Sequence, residues 1–173
     1  MTNSRALCNR LLLTAFLLAG CGGEKTKEPH VSDEQKITAL TAADTQRLTD
    51  QRAVIEAFLG NEDSKRKYHA AAGKLGTIRA ILQADKFKPD QTYQLQCLGI
   101  VLGDVFVQEL TMEWVMVEDE SGRHPAVRMP GTTIILFPQT MISKRVQRGE
   151  KVDVFDLFNR IAEDVELLKK QGI

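Results

Sequence analysis

The residues best suited to chemistry are few. Asp104 stands in an apolar run that includes Leu95, Leu98, Leu102, Val105 and Phe106. A carboxylate in such surroundings needs hydrogen bonds or an opposite charge, and Arg123, His124, Arg128 and Arg145 are the expected partners. Trp114 follows; an exposed indole edge beside Glu118 and Arg128 would make a recognition surface. Asp104, Trp114, Glu118, Arg128 and Arg145 are therefore the candidate binding residues. Two converging carboxylates drawn from Asp104, Glu109, Glu113 and Glu118 would instead suit general acid and base work in a hydrolase or transferase. The plainer reading of Asp104 is a structural ion pair, and that of Trp114 is core packing.

Other spacings carry less. Ser64-Lys-Arg-Lys67 has the Ser-x-x-Lys form of penicillin-recognising enzymes, but the companion Ser-Asp-Asn and Lys-Thr-Gly elements are missing, and a lysine-rich helix start accounts for it. His30, His69 and His124 form no His-x-x-x-His pair, and no Cys-x-x-Cys is present, so neither a metal nor another cofactor is expected. Gly73-Lys-Leu-Gly76 has the shape of an RNA-clamping loop; helix packing explains it better in a chain of this charge. Gly99 and Gly103 leave two bare positions on one helical face, where a neighbouring backbone can come close. Lys144, Arg145, Arg148 and Lys151 form a basic cluster that reads as solvated surface.

The N-terminus is more specific. A basic stretch, Met1–Arg10, precedes an apolar run, Leu11–Leu18, and then Leu18-Ala19-Gly20-Cys21. This is the order of a secretory signal, and its last four residues look like the lipobox of bacterial lipoproteins. Residues 1–20 are the expected signal peptide, with Cys21 the lipidated, palmitate-bearing first residue of the mature chain. Two or more acyl chains hold a protein stably to a bilayer, at about 0.8 kcal/mol per buried methylene. Gly22, in lipoprotein terms, permits sorting to the outer membrane, so the expected location is the outer membrane facing the periplasm. Of three cysteines, cleavage removes Cys8 and lipidation takes Cys21, which leaves Cys97 as a buried, inert thiol.

The elements that position these residues follow from the chain of 173 residues, enough for one domain plus attachments. Residues 21–38, polar and bearing Pro29, read as a flexible tether with a reach of about 20–25 Å. Residues 39–173 read as one globular domain. Thr41 and Asp44 have capping-box spacing, and Leu48, Ile55 and Phe58 then share a face until Gly60. A second helix is expected from Ser64 to before Pro89, with Tyr68, Ala72, Leu75, Ile78 and Leu82 inward and a close packing or a break near Gly73 and Gly76. Asp90 is the expected cap of an almost wholly apolar central helix. Its length of uninterrupted apolar residues falls short of the roughly 20 a membrane span requires. Three strands, Glu113–Glu118, His124–Met129 and Thr132–Phe137, follow as an antiparallel meander. A short helix over Thr140–Val146 and a last one capped by Asp153, with Phe158, Ile161, Val165 and Leu168 inward, complete an α+β fold: N-terminal helices, a small three-stranded sheet, C-terminal helices.

Leu98-Gly-x-x-Leu-Gly103, Glu113-Trp114, the turn at Gly122, Arg128, and Phe137-Pro138 with Ile142-Ser-Lys-Arg145 resemble, as an ordered set, the bacterial domain-of-unknown-function family catalogued as 3806. The resemblance covers about residues 90–165. It implies a small α+β domain and assigns no catalytic residue.

Once Arg5 and Arg10 are set aside with the signal, 21 basic residues face 23 acidic ones, a balance that argues against nucleic acid as a partner. The expectation is a non-enzymatic, lipid-anchored envelope module. Its partners would be the membrane, through its lipid, and an unidentified envelope protein or component. An envelope hydrolase or transferase and a toxin-neutralising immunity protein are the alternatives.

Overall fold

The computed structural model describes residues 35–172, and the expected signal peptide, Cys21 and most of the expected tether lie outside them. The elements run β1 (Lys36–Ala39), α1 (Ala42–Glu56), α2 (Glu62–Tyr68), α3 (Ala71–Gln83), α4 (Thr92–Leu110), β2 (Glu113–Asp119), β3 (Gly122–Arg128), β4 (Ile135–Leu136), α5 (Pro138–Gln147) and α6 (Val154–Lys170).

The class is α+β as expected, but the sheet has four antiparallel strands in the order β1-β2-β3-β4. The added strand is Lys36-Ile-Thr-Ala39, whose first residues the sequence assigns to the tether; they pair with Val115–Glu118 of β2. Four residues with a single large apolar side chain give little periodicity to read. Conversely, the third expected strand shrinks to Ile135–Leu136. Its first half is held as a turn, because Thr132 Oγ1 donates to Met129 O at 3.1 Å and accepts from Ile134 N–H at 3.1 Å. A threonine hydroxyl thus offers the backbone an alternative to the ladder.

Helix α4 is central. It packs on α1, α3, α5 and β3, and ten of its residues from Leu95 to Phe106 are buried, which is why its apolar side chains run round most of the circumference. Phe106 stacks on Phe158 of α6 at 5.9 Å between ring centres. Cys97 is fully buried, and burial pushes its thiol up to about 11, the inert state expected of it. The two helix glycines have the close-packing role: a Cβ on Gly99 would lie 2.5 Å from Gln139 O, and one on Gly103 would meet the Trp114 ring and, at 2.8 Å, Pro138 Cγ. The start of α5 and the indole occupy those two gaps.

Side-chain caps start α1, α2 and α6, and three expected features move. Asp90 does not cap α4; Gln91 takes the cap position without a side-chain bond, since the Lys88 C=O accepts from Gln91 N–H at 3.0 Å and draws Asp90 into a turn. The expected second helix breaks in two at His69–Ala70. Gly73, one turn into α3, lies against the Lys67 carbonyl, where a Cβ would overlap it. Phe58 lies beyond the end of α1, 42% exposed, with its ring edge-on to Phe87 at 5.3 Å. At the far end Asp153 caps α6 as expected, accepting from Phe155 and Asp156 N–H at 3.0 and 3.1 Å.

The α1 capping box does more than end a helix. The Asp44 carboxylate accepts from Thr41 N–H at 2.9 Å and from Arg123 Nη2 of β3 at 2.7 Å, and the residue is 2% exposed. The hydrogen bonds from Arg123, then those from Thr41, hold this carboxyl well below the usual carboxylate range. The folded protein therefore binds fewer protons here than the unfolded chain between the two pKa values, so stability rises with pH in that window. The contribution is complete above about pH 4, the ordinary aspartate value, and declines as the pH drops through the folded value. Urea denaturation from pH 5 to pH 2.5 should show a steeper loss for the native protein than for Asp44→Asn. Parallel curves would refute the assignment.

Candidate functional site

Four helices leave a cleft of about 570 Å³ between them, within the range of ligand sites. Arg52 and Glu56 come from α1, Lys65 and Tyr68 from α2, Lys74 from α3, and Asp104, Val107 and Gln108 from α4, with Leu59 and His69 from the connections. The break at His69 matters here. It ends α2 with a carbonyl that accepts from Lys74 Nζ at 3.2 Å and from Gln108 Nε2 at 3.1 Å.

Asp104 is on one wall. Its partner is Arg52, through Nε and Nη2 at 2.7 Å each, and Trp114 Nε1 donates to it at 3.0 Å. None of the four expected partners reaches it. Arg123 is engaged by Asp44, Arg128 by Glu113, Arg145 donates to Met141 O, and His124 sits by Ser121. The bidentate carboxylate raises the Arg52 pKa, against the opposing effect of burial. The signal for Arg52 was present in the sequence: it lies four residues after Leu48 and three before Ile55, on the stripe that α1 buries.

The rest of the expected set is not brought together. Strand alternation places Trp114 and Glu118 on the helix side of β2 and Arg128, opposite Glu113, on the other face. Arg145 lies on α5. Of Asp104, Glu109, Glu113 and Glu118, only Asp104 lines the cleft, so these four do not form a converging acid–base pair.

Three cleft residues that sequence reasoning did not single out for function are chemically unusual. Lys74 is only 8% exposed. Its ammonium rests on two neutral acceptors, His69 O and Gln108 Oε1, both at 3.2 Å, and 5.3 Å from the centre of the Tyr68 ring. No carboxylate among the described residues pairs with it, and burial lowers its pKa. Gly73-Lys-Leu-Gly76 is accordingly helix, with its lysine turned to the interior. Tyr68 is 6% exposed, and its hydroxyl has no hydrogen-bond partner among the described residues. Burial, then the charges of Glu56 and Asp104, raise its pKa. Glu56 is exposed at the end of α1; no ion pair or hydrogen bond engages its carboxylate among the described residues, and its charge bears on Arg52, Tyr68 and Lys74.

An unpaired buried hydroxyl costs about 1–3 kcal/mol. Tyr68→Phe, which deletes only that oxygen, should therefore stabilise the free protein by about 1 kcal/mol, read as a higher urea midpoint. A destabilised phenylalanine variant would show that the hydroxyl is satisfied.

A second cluster resembles a catalytic one and is not. Ser121 Oγ donates to Asp119 Oδ1 at 2.5 Å and lies 3.2 Å from His124 Nε2. In a hydrolytic triad the carboxylate orients the imidazole and the serine hydroxyl donates to the imidazole; here the serine hydroxyl donates to the carboxylate instead. The three residues lock the β2–β3 turn. Among the described residues no group of histidine, cysteine and acidic side chains is arranged to hold a metal ion, and no described helix is long and apolar enough to cross a membrane.

Residues 74–158 match the model of a family described as a domain of unknown function, DUF3806. The match starts earlier and ends sooner than the sequence motifs suggest, and so takes in most of α3. It includes Lys74, Asp104, Val107 and Gln108 but not Arg52, Glu56 or Tyr68. A crystal structure of a protein from Bacteroides thetaiotaomicron VPI-5482, at 1.50 Å resolution, is similar with a TM-score of 0.61 and 12% identity, over 77% of this chain and 49% of that one. This chain spans about half the length of that protein, and the likeness concerns the fold. No curated protein matches the chain.

Proposed function

We propose that this chain, which carries the DUF3806 domain over residues 74–158, is a lipid-anchored binding protein of the bacterial envelope, and that the four-helix cleft receives what it binds. Cys21 bears the lipid, residues 22–35 link it to the body, and the body faces the periplasm from the outer membrane. The anchor rests on the order of basic stretch, apolar run and Leu18-Ala-Gly-Cys21. Binding rests on a single observation: Lys74 keeps a charged group away from water with only neutral oxygens within hydrogen-bond reach and no carboxylate paired to it among the described residues. A fold does not retain such a group for stability, because an unpaired buried charge is destabilising, and groups of this kind concentrate at functional sites.

Two measurements test this. Mass spectrometry of the mature protein should find acyl groups on Cys21 as the first residue, and Cys21→Ser should move the protein out of the membrane fraction. Crosslinking in native membranes should capture an envelope component, and Lys74→Met should lose it. A mature chain that starts elsewhere without acyl groups removes the anchor. Capture indifferent to Lys74 removes the cleft.

A further inference from the structure

The cleft's unmatched groups are of three kinds, and together they describe a complement. Lys74 presents a positive charge whose two contacts are neutral carbonyl oxygens at 3.2 Å. Tyr68 presents a hydroxyl with no partner among the described residues. Glu56 presents a carboxylate that no described ion pair or hydrogen bond engages, although its neighbours are cations. The remaining charges are spent: Arg52 on Asp104 at 2.7 Å, and Lys65 on Glu62 at 2.7 Å. Between the polar groups, Leu59 and Val107 give the wall an apolar section.

A purely anionic ligand would satisfy Lys74 but leave Glu56 facing it; a dianion such as phosphate would do so twice over, beside Asp104 as well. A purely cationic one would meet Lys74 head-on. What satisfies all three is one negative group and one positive group on the same small body. We propose that the cleft binds a zwitterion with an aliphatic body, an amino acid or short peptide, whose carboxylate lies on Lys74 and Tyr68, whose ammonium lies on Glu56, and whose aliphatic part lies against Leu59 and Val107. The proposal rests on the reading of this protein as a binding module and names the ligand class of that same cleft. A cavity of about 570 Å³ accommodates one such residue with room for a second or third.

The chain has a built-in reporter. Trp114 is its sole tryptophan, and its indole N–H donates to Asp104 on the cleft wall. Titration of the full chain, followed by tryptophan emission and by calorimetry, should use leucine, trileucine, leucinamide, 4-methylpentanoate and inorganic phosphate. Leucine or trileucine should saturate; the tighter of the two tells a free amino acid from a peptide. Leucinamide, which lacks the carboxylate, and 4-methylpentanoate, which lacks the ammonium, should each bind the native protein at least about tenfold more weakly, the size expected when a charge-assisted hydrogen bond is lost. Lys74→Met should weaken the zwitterion about tenfold and leave leucinamide nearly unchanged. Glu56→Gln should weaken the zwitterion and leave 4-methylpentanoate unchanged. Tyr68→Phe should weaken the zwitterion about threefold or more without lowering the melting temperature, which separates ligand contact from loss of fold.

The proposal is overturned if leucinamide or 4-methylpentanoate equals the zwitterion, if phosphate binds tighter, or if none of the five binds at 10 mM. When none binds but Lys74-dependent capture from membranes succeeds, the binding reading stands and the zwitterion falls alone. When capture fails too, both fall.

Discussion

Asp104→Ala is expected to destabilise the protein by about 2–4 kcal/mol, somewhat below the roughly 3–5 kcal/mol for removing one partner of a fully buried charge pair, because this pair is partly exposed. The size follows from what the carboxylate leaves behind. Arg52 loses both of its 2.7 Å bonds, and the Trp114 indole loses its acceptor. Neither can turn freely to water, since the Arg52 side chain is only 24% exposed and Trp114 is half-buried. Arg52→Met in the same background should recover part of the loss, because it removes the stranded cation. A double-mutant cycle should therefore return a coupling of about 1 kcal/mol or more. Asp104→Asn should fall between, keeping an acceptor but not the charge. Urea unfolding of the four proteins of the cycle and of Asp104→Asn measures this. Asp104→Ala within about 0.5 kcal/mol of the native protein, the margin of an ordinary surface change, would mean that the ion pair is ornamental.

Two glycine-to-alanine changes in helices should move stability in opposite directions. Gly99→Ala should destabilise by about 2 kcal/mol: overpacking costs up to about 3 kcal/mol, and the gain in helix propensity returns about 1. The obstacle is the backbone of Pro138 and Gln139, which cannot swing aside as a flexible side chain can. A Cβ on Gly76, by contrast, meets nothing within 4 Å. Gly76→Ala should accordingly stabilise by about 0.5–1 kcal/mol through propensity alone. Thermal or urea unfolding of both variants decides it, and the same sign for both would refute the packing of α5 on α4.

The contrast also shows what the sequence makes legible. Helices with many turns and a capping residue, such as α1 and α6, can be read from apolar spacing, and so can the central position of α4, because its greasy circumference has no other use. Brief elements cannot: β1 and β4 are too short for alternation to rise above chance. At the site, Asp104 is conspicuous because a carboxylate interrupts an apolar helix. Its partner is harder to find, because an arginine on a mixed helix face looks solvated, and because α1 precedes α4 by about fifty residues with nothing local to link them. Lys74 is harder still. Between two glycines of an expected helix it reads as a surface lysine, and only the break at His69, which folds α3 back along α2, turns it inward. Tyr68 is legible as core and illegible as a polar group without a partner.

The placement of β1 has a mechanical consequence. A pull on the chain ahead of Lys36 enters the body through a four-residue edge strand whose ladder is shared with β2 alone. Behind it comes the knot of Thr41, Asp44 and Arg123, which clamps the root of α1 to β3. Under tension the ribbon would peel first and stop at that clamp, leaving Arg52 and Glu56 in place. The outer strand would then act as a sacrificial joint between the chain that precedes it and the cleft.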